Sequence, residues 1–401
     1  GTSWPRAYTM SITSVPGFAA SGVACGIKSS GVPDLALVAT TNRKPVPAAG
    51  VFTTNLACAA PVQVSRAHLA SGHSAAVILN SGNANAATGE YGRGVAKEMC
   101  SLVAAPLGVG TEDVLVCSTG LIGIPMSIDP IAAGIPGLVA NLGTDATAGE
   151  SAAQAILTTD TVRKESFISS NGFCVGAMAK GAAMLAPAMA TMLAVIVTDA
   201  VATPDLLKQA LAYGVRDSFN MLLVDGAMST NDTVLLLANG SSNVNTNTKS
   251  RATAFMDAIG ETCAQLSVAM AADAEGATKL ATIVVRGART ESDARQAARS
   301  VAASQLVQCS LYGSDPYWGR VLSELGASGA TFDPERTTIS YNSVTVCRNG
   351  VAAAHDEIAL AQTMGQREIL IECNLQAGDK SATMHFTDLS HAYIDENAAT
   401  S

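Results

Sequence analysis

Eight short runs of β-branched and aliphatic residues recur along this 401-residue chain, separated by stretches with a different period. They are LALVAT (35–40), AAVILN (75–80), DVLVCST (113–119), MLAVIVTDA (192–200), TVLLLANG (233–240), LATIVVRGA (280–288), TISYNSVTVC (338–347) and EILIECNLQAG (368–378). Length and composition predict strands, some of them buried on both faces. Between them, 93–107, 203–219, 253–275 and 292–308 are Ala-rich and amphipathic, which predicts helices. Mixed in this order, the elements predict an α/β fold of stacked sheets flanked by helices, not a simple doubly wound sheet. Segments 128–150 and 241–250 are rich in turn-forming residues and read as loops, with a domain or subunit boundary between 150 and Thr191.

Hydrophobic residues make up 48% of the chain but aromatics only 4%, so its core must be closely packed Ala, Val, Leu, Ile and Met. The net charge is −9, and no Lys/Arg cluster is interleaved with aromatics. That excludes the electrostatic footprint of a nucleic-acid or anionic-membrane binder and leaves small molecules as the expected partners. Nine cysteines, at 25, 58, 100, 117, 174, 263, 309, 347 and 373, form no C-x-x-C pair and read as buried thiols of a reducing cytoplasm. Five histidines show no ligand spacing, so no metal is expected. The opening GTSWPRAYTM lacks the pattern of a secretory signal, and the nine residues before Met10 read as a leader.

Residues 181–198 carry no formal charge, yet Pro187 and the β-branched residues near it argue against a membrane span. The default reading of Thr191 is a strand residue in the core. Cleavage of the Ala190–Thr191 bond would change that. The freed α-amine, with a reference pKa of about 7.7–8.0, would be a general base on the same residue as the hydroxyl. The hydroxyl would first attack its own preceding carbonyl, moving the acyl group from nitrogen to oxygen before hydrolysis.

KGAAMLAPAMATML (180–193) resembles the signature of the ornithine acetyltransferase (glutamate N-acetyltransferase) family. Further blocks match in the family's order: SGVACGIKSSGVPDLALV, ILNSGNANAATG, VCSTGLIG, ILTTDTVRKE, STNDTVLLL, ADAEGATK, GSDPYWGRVL and TDLSHAYIDEN. The resemblance covers residues 15–401 and implies a layered α-β-β-α sandwich of the self-processing, N-terminal-nucleophile-like class with a smaller C-terminal α/β domain from about residue 280. It implies self-cleavage into an α chain ending at Ala190 and a β chain beginning at Thr191, the acyl-carrying nucleophile. Thr119 and Gly120 would form the oxyanion site. Thr158, Lys180, Thr191, Glu275, Asn397 and Ser401 would contact substrate, Lys180 and Thr158 suiting a carboxylate and Glu275 suiting the ornithine cation. The implied reaction moves acetyl from N-acetylornithine to glutamate by ping-pong steps, without metal or cofactor, in a cytoplasmic α2β2 heterotetramer of arginine biosynthesis. No residue decides whether acetyl-CoA also serves as donor.

The chain departs from the family pattern at Ala182, at Tyr317 in place of Asn, at Ala227, and at the end, NAATS, which lacks the usual Tyr. Two rival readings stay open. One is an N-terminal-nucleophile amidohydrolase or aminopeptidase, in which water takes the acyl group. The other is a non-catalytic amino-acid-binding protein that never cleaves.

Overall fold

Seven of the eight apolar runs each fold as a strand and TISYNSVTVC as two; three of the four amphipathic stretches each form one helix, while 292–308 breaks at Ser304 between helices Glu291–Ala303 and Gln305–Tyr312. The computed structural model describes residues 10–181 and 192–398, which divide into two compact units. One comprises 10–181, 192–219 and 228–270, the other 220–227 and 271–398.

In the first unit, strands Phe18–Val23, Leu35–Thr40, Ala76–Asn83 and Val114–Leu121 form one sheet in that spatial order. A second sheet runs His73–Ser74, Val46–Phe52, Thr233–Ala238, Leu193–Thr198, Phe173–Lys180, Lys164–Ser170. Alternate side chains explain the stacking. Val38, Val77, Leu79 and Leu115 of the first sheet share a core with Met178, Val195, Val197 and Leu237 of the second. The opposite set, Leu35, Leu37, Ile78 and Val116, packs on helices Ala60–His68, Gly89–Leu107 and Asp129–Ala140. Helix Pro204–Arg216 covers the outer face of the second sheet, and Phe255 of helix Lys249–Ala272 meets Phe173 with ring centroids 5.7 Å apart. The layers are therefore α-β-β-α, as expected. Each sheet has one parallel pair, and each pair is joined by a helix, Gly89–Leu107 or Pro204–Arg216, as parallel connection requires.

The second unit has a seven-stranded sheet, ordered Leu222–Leu223, Lys380–Thr387, Leu280–Ala288, Glu368–Asn374, Thr338–Tyr341, Val344–Arg348, Val351–Ala352. Ala281, Ile283 and Val285 alternate inward against Ala294, Ala298 and Val301 of helix Glu291–Ala303, which makes an α/β layer pair.

Three readings need correction. Residues 128–150, read as a loop, hold helix Asp129–Ala140 and the start of Ala146–Ala155. Ile131, Ile135 and Leu138 bury one face there at helical spacing, while Pro130 sits in the first turn and Asp145 caps the second helix through the Ala148 amide. TISYNSVTVC is a hairpin, because Asn342 and Ser343 take φ of +48° and +68° and turn the chain. Six cysteines are buried, but Cys25 and Cys58 are half-buried and Cys309 is exposed on helix Gln305–Tyr312.

Glu165 carries a consequence for stability. Burial pushes its carboxyl up to about 7, opposed by Arg163, whose Nε lies 3.4 Å from Oε2, and assisted by Glu150. The folded group keeps a proton that the unfolded one sheds from an ordinary value of 4.5, so stability falls as pH rises from about 4.5 to 7 and stays lower above. Thermal melts of Glu165→Gln should show a Tm difference from the parent that is more positive at pH 8 than at pH 5 by about 2–4 °C. An equal difference at both pH values would mean that water reaches the carboxylate.

Candidate active site

Thr119 and Gly120 lie at the end of strand Val114–Leu121, where the pairing with Ala76–Asn83 becomes irregular at Gly82 and Asn83. Gly120 has φ of +136°, and a Cβ there would stand 2.4 Å from the Gly82 carbonyl carbon. Only glycine fits so close an approach, and the sharp bend leaves Gly120 exposed beside a Thr119 that is 7% exposed.

Lys180 ends strand Phe173–Lys180 and is almost fully buried. Its Nζ donates to Thr158 Oγ1 at 2.7 Å and to Thr119 Oγ1 at 3.2 Å. Because Thr119 Oγ1 accepts from the ammonium, its own hydrogen is turned elsewhere and can donate to a ligand oxygen. Three residues expected at the site thus meet at one ammonium.

The charge is balanced by Asp160, two residues beyond Thr158. Its side chain is fully buried; Oδ1 accepts from Lys164 Nζ at 2.5 Å and from the Gly181 amide at 2.7 Å, and Oδ2 lies 3.7 Å from Lys180 Nζ. Burial alone would raise this carboxyl, but Lys180 and Lys164, with the bonds from Lys164 and Gly181, hold it down at about 2. Lys28 anchors the same loop by donating to the Leu157 carbonyl at 2.5 Å, and burial lowers its pKa, with Lys180 adding to the effect and Asp34 and Asp160 opposing it.

Asn231 joins three of the sequence blocks. Its Nδ2 donates to the Ala84 carbonyl at 2.6 Å and to the Ser118 carbonyl at 2.8 Å, tying NSGNANA, CSTG and STND together at the sheet ends.

In the second unit, Glu275 is buried and its Oε2 accepts from Asn397 Nδ2 at 2.8 Å, so these two expected ligands are already partners. Ser390 caps helix His391–Asn397 through the Tyr393 amide and donates to the Gly276 carbonyl. Gly276 is forced here by contact, because a Cβ would sit 2.3 Å from the Tyr393 nitrogen. Ala190, Thr191, Ser401 and Ala182 lie outside the described residues. Tyr317 is a surface residue, 48% exposed, with Arg320 stacked 4.5 Å above its ring; Ala227 is half-buried and its amide donates to Asp225.

The sequence model of the ArgJ family matches residues 19–401. The chain belongs to the ArgJ family. The arginine biosynthesis bifunctional protein ArgJ of Streptomyces coelicolor is 45% identical over 392 residues, covering 98% of this chain and 100% of that protein. The protein of the same name from Mycobacterium leprae is 45% identical over 397 residues, covering 97% and 95%. The crystal structure of ornithine acetyltransferase complexed with ornithine from Mycobacterium tuberculosis is 38% identical, covers 47% of this chain and 98% of that chain, and has a TM-score of 0.42.

Membership in the ArgJ family bears out the resemblance read from the motif blocks, and with it an acetyltransferase of arginine biosynthesis. Within this ArgJ chain, Asp160, Lys28, Asn231 and Asp232 are the polar residues that sequence reasoning passed over. The signal for Asp160 was available: a buried Lys180 requires a nearby anion, and TTD supplies one next to Thr158. Among the described residues, no three His, Cys, Asp or Glu side chains are grouped to hold a metal ion, and no helix is long and apolar enough to cross a membrane.

Proposed function

We propose that the chain cleaves itself between Ala190 and Thr191 and transfers acetyl from N-acetylornithine to glutamate through an ester on Thr191. The observation that carries this reading is the meeting of Thr119 and Thr158 at Lys180 Nζ, on the strand end directly before residues 181–191. Thr191 Oγ attacks the acetyl carbonyl, the carbon–nitrogen bond breaks, and ornithine leaves with its amine protonated. Glutamate's amine then attacks the ester, and the hydroxyl regains its proton. The Thr119 hydroxyl and the Gly120 amide stabilise the oxyanion of each tetrahedral intermediate, an effect worth about 2.7–4 kcal/mol for one well-placed donor.

Lys180 and Thr158 take the substrate carboxylate. Glu275, with Asn397 and Ser401, forms the substrate-binding set of the second unit, where a carboxylate suits the ornithine cation. Cleavage gives an α chain of 1–190 and a β chain of 191–401, the latter carrying the smaller C-terminal domain from about 280. Two such pairs assemble as α2β2 in the cytoplasm.

The test supplies acetyl-labelled N-acetylornithine with and without glutamate. Label should appear in N-acetylglutamate only when glutamate is present, with parallel double-reciprocal lines. Acetate released at the same rate without glutamate would identify a hydrolase instead. No turnover in an uncut chain that still binds ornithine would identify a binding protein.

A further inference from the structure

Lys28 lies in the loop between strands Phe18–Val23 and Leu35–Thr40, which pair with each other up to Val23 and Leu35. Buried Asp34 closes that loop: its Oδ1 accepts from the Cys25 amide at 2.7 Å and its Oδ2 from the Lys28 amide at 2.9 Å, so the Lys28 backbone has a fixed place. The side chain then turns inward. Its stem crosses Gly82, where an added Cβ would stand 2.9 Å from Lys28 Cγ, and its ammonium ends on two backbone carbonyls, Leu157 at 2.5 Å and Pro33 at 3.3 Å. A loop lysine left to itself keeps its head in water and its rotamer freedom; this one gives up both to hold backbone. The peptide unit that joins Leu157 to Thr158 is thereby fixed on two sides, its carbonyl by Lys28 and its N–H by Asp160 Oδ2 at 3.2 Å. From that unit the Thr158 hydroxyl reaches Lys180 Nζ at 2.7 Å.

We propose that Lys28 is a positioning residue for substrate binding, holding the Leu157–Thr158 peptide plane so that the Thr158 hydroxyl accepts from Lys180 and donates to the substrate carboxylate. The inference rests on the reading of Thr158 as a carboxylate ligand. Without the ammonium, the Leu157 carbonyl turns toward another donor, and the Thr158 hydroxyl swings with it. Binding of the carboxylate is common to ground and transition states, so its loss weakens affinity and leaves kcat largely in place. Because Lys28 acts through Thr158, its ammonium adds nothing once that hydroxyl is gone. An ammonium that attracted the carboxylate directly would still count, and this separates the two roles.

A double-mutant cycle tests it. Lys28→Met keeps the stem over Gly82 and removes the ammonium; Thr158→Val removes the hydroxyl and keeps the shape. The Kd of ornithine, by calorimetry, and kcat for acetyl transfer are measured on the parent, both single variants and the double variant. Each single variant should raise Kd by about 10–100-fold, the effect of losing a hydrogen bond to a charged group, with kcat within about threefold of the parent. The double variant should bind no more than about twofold more weakly than Thr158→Val, because the two residues act as a unit. Additive effects overturn positioning in favour of direct attraction for the carboxylate. An unchanged Kd in the methionine variant overturns it too, as does a loss confined to kcat. Should methionine fail to fold, Lys28→Gln, neutral and one bond shorter than lysine, takes its place in the cycle with the same outcomes. If Thr158→Val itself binds ornithine like the parent, the reading of Thr158 fails and takes this inference with it; if Thr158→Val weakens binding and Lys28→Met does not, only the inference fails.

Discussion

Thr191→Ala should remain a single chain of 401 residues on denaturing mass analysis, where the parent should give fragments 1–190 and 191–401. Under the proposed mechanism the variant lacks the hydroxyl that would attack the Ala190 carbonyl, and so would never generate the α-amine that serves as its base. Nucleophile and base are lost together. Turnover should fall by at least about 10⁴-fold, in the range seen when a covalent nucleophile is removed from an enzyme that retains its oxyanion donors. Thr191→Ser restores the hydroxyl and should cleave, more slowly. In the parent, kcat/KM should rise with pH through the amine's reference range of about 7.7–8.0, because only the unprotonated amine accepts the hydroxyl proton. An uncut Thr191→Ala chain that still turns over at the parent rate would eliminate Thr191 as the acyl carrier.

The central strands were legible from length and β-branched composition, not from period: every residue of LALVAT, LAVIVT and TVLLLA is buried, so no alternation marks them. Strand Phe173–Lys180 was less so. Its eight residues are all buried, yet Gly176 and the terminal Lys180 break the apolar run that marks a strand. Helix Asp129–Ala140 was hidden by Pro130, Gly134, Pro136 and Gly137, which weigh as loop residues until burial of Ile131, Ile135 and Leu138 shows which face they share. At the site, types were legible and partnerships were not. Thr119, Thr158 and Lys180 stand in three separate blocks, and nothing in their spacing says that one ammonium bonds both hydroxyls. Asp160 and Asp232 were missed for one physical reason: an acid in a polar turn reads as solvated, whereas here sheet stacking buries both carboxyls completely.

Asp160→Asn tests that burial directly. The carboxylate serves four donors: Lys164 and the Gly181 amide at Oδ1, and the Thr158 amide, at 3.2 Å, together with Lys180 at Oδ2. An amide keeps one acceptor oxygen and points an N–H₂ at the remaining donors, so Lys164 and Lys180 lose their shared counter-charge inside the protein. Breaking a buried pair in this way costs about 3–5 kcal/mol, enough to lower Tm by about 10 °C. The folded carboxyl sits near 2 against an ordinary 3.8, so its stabilising effect is present above about 3.8 and is lost as pH falls toward 2. The Tm gap between variant and parent should therefore be constant from pH 5 to 8 and close below pH 4. Activity should suffer separately, because Thr158 and Lys180 lose the group that aligns them, and kcat/KM measured well below the new Tm should drop by about 10²-fold or more. A variant as stable as the parent at neutral pH would mean that water already compensates the two lysines. In that case Lys180 would hold its place without help from the Asp160 carboxylate.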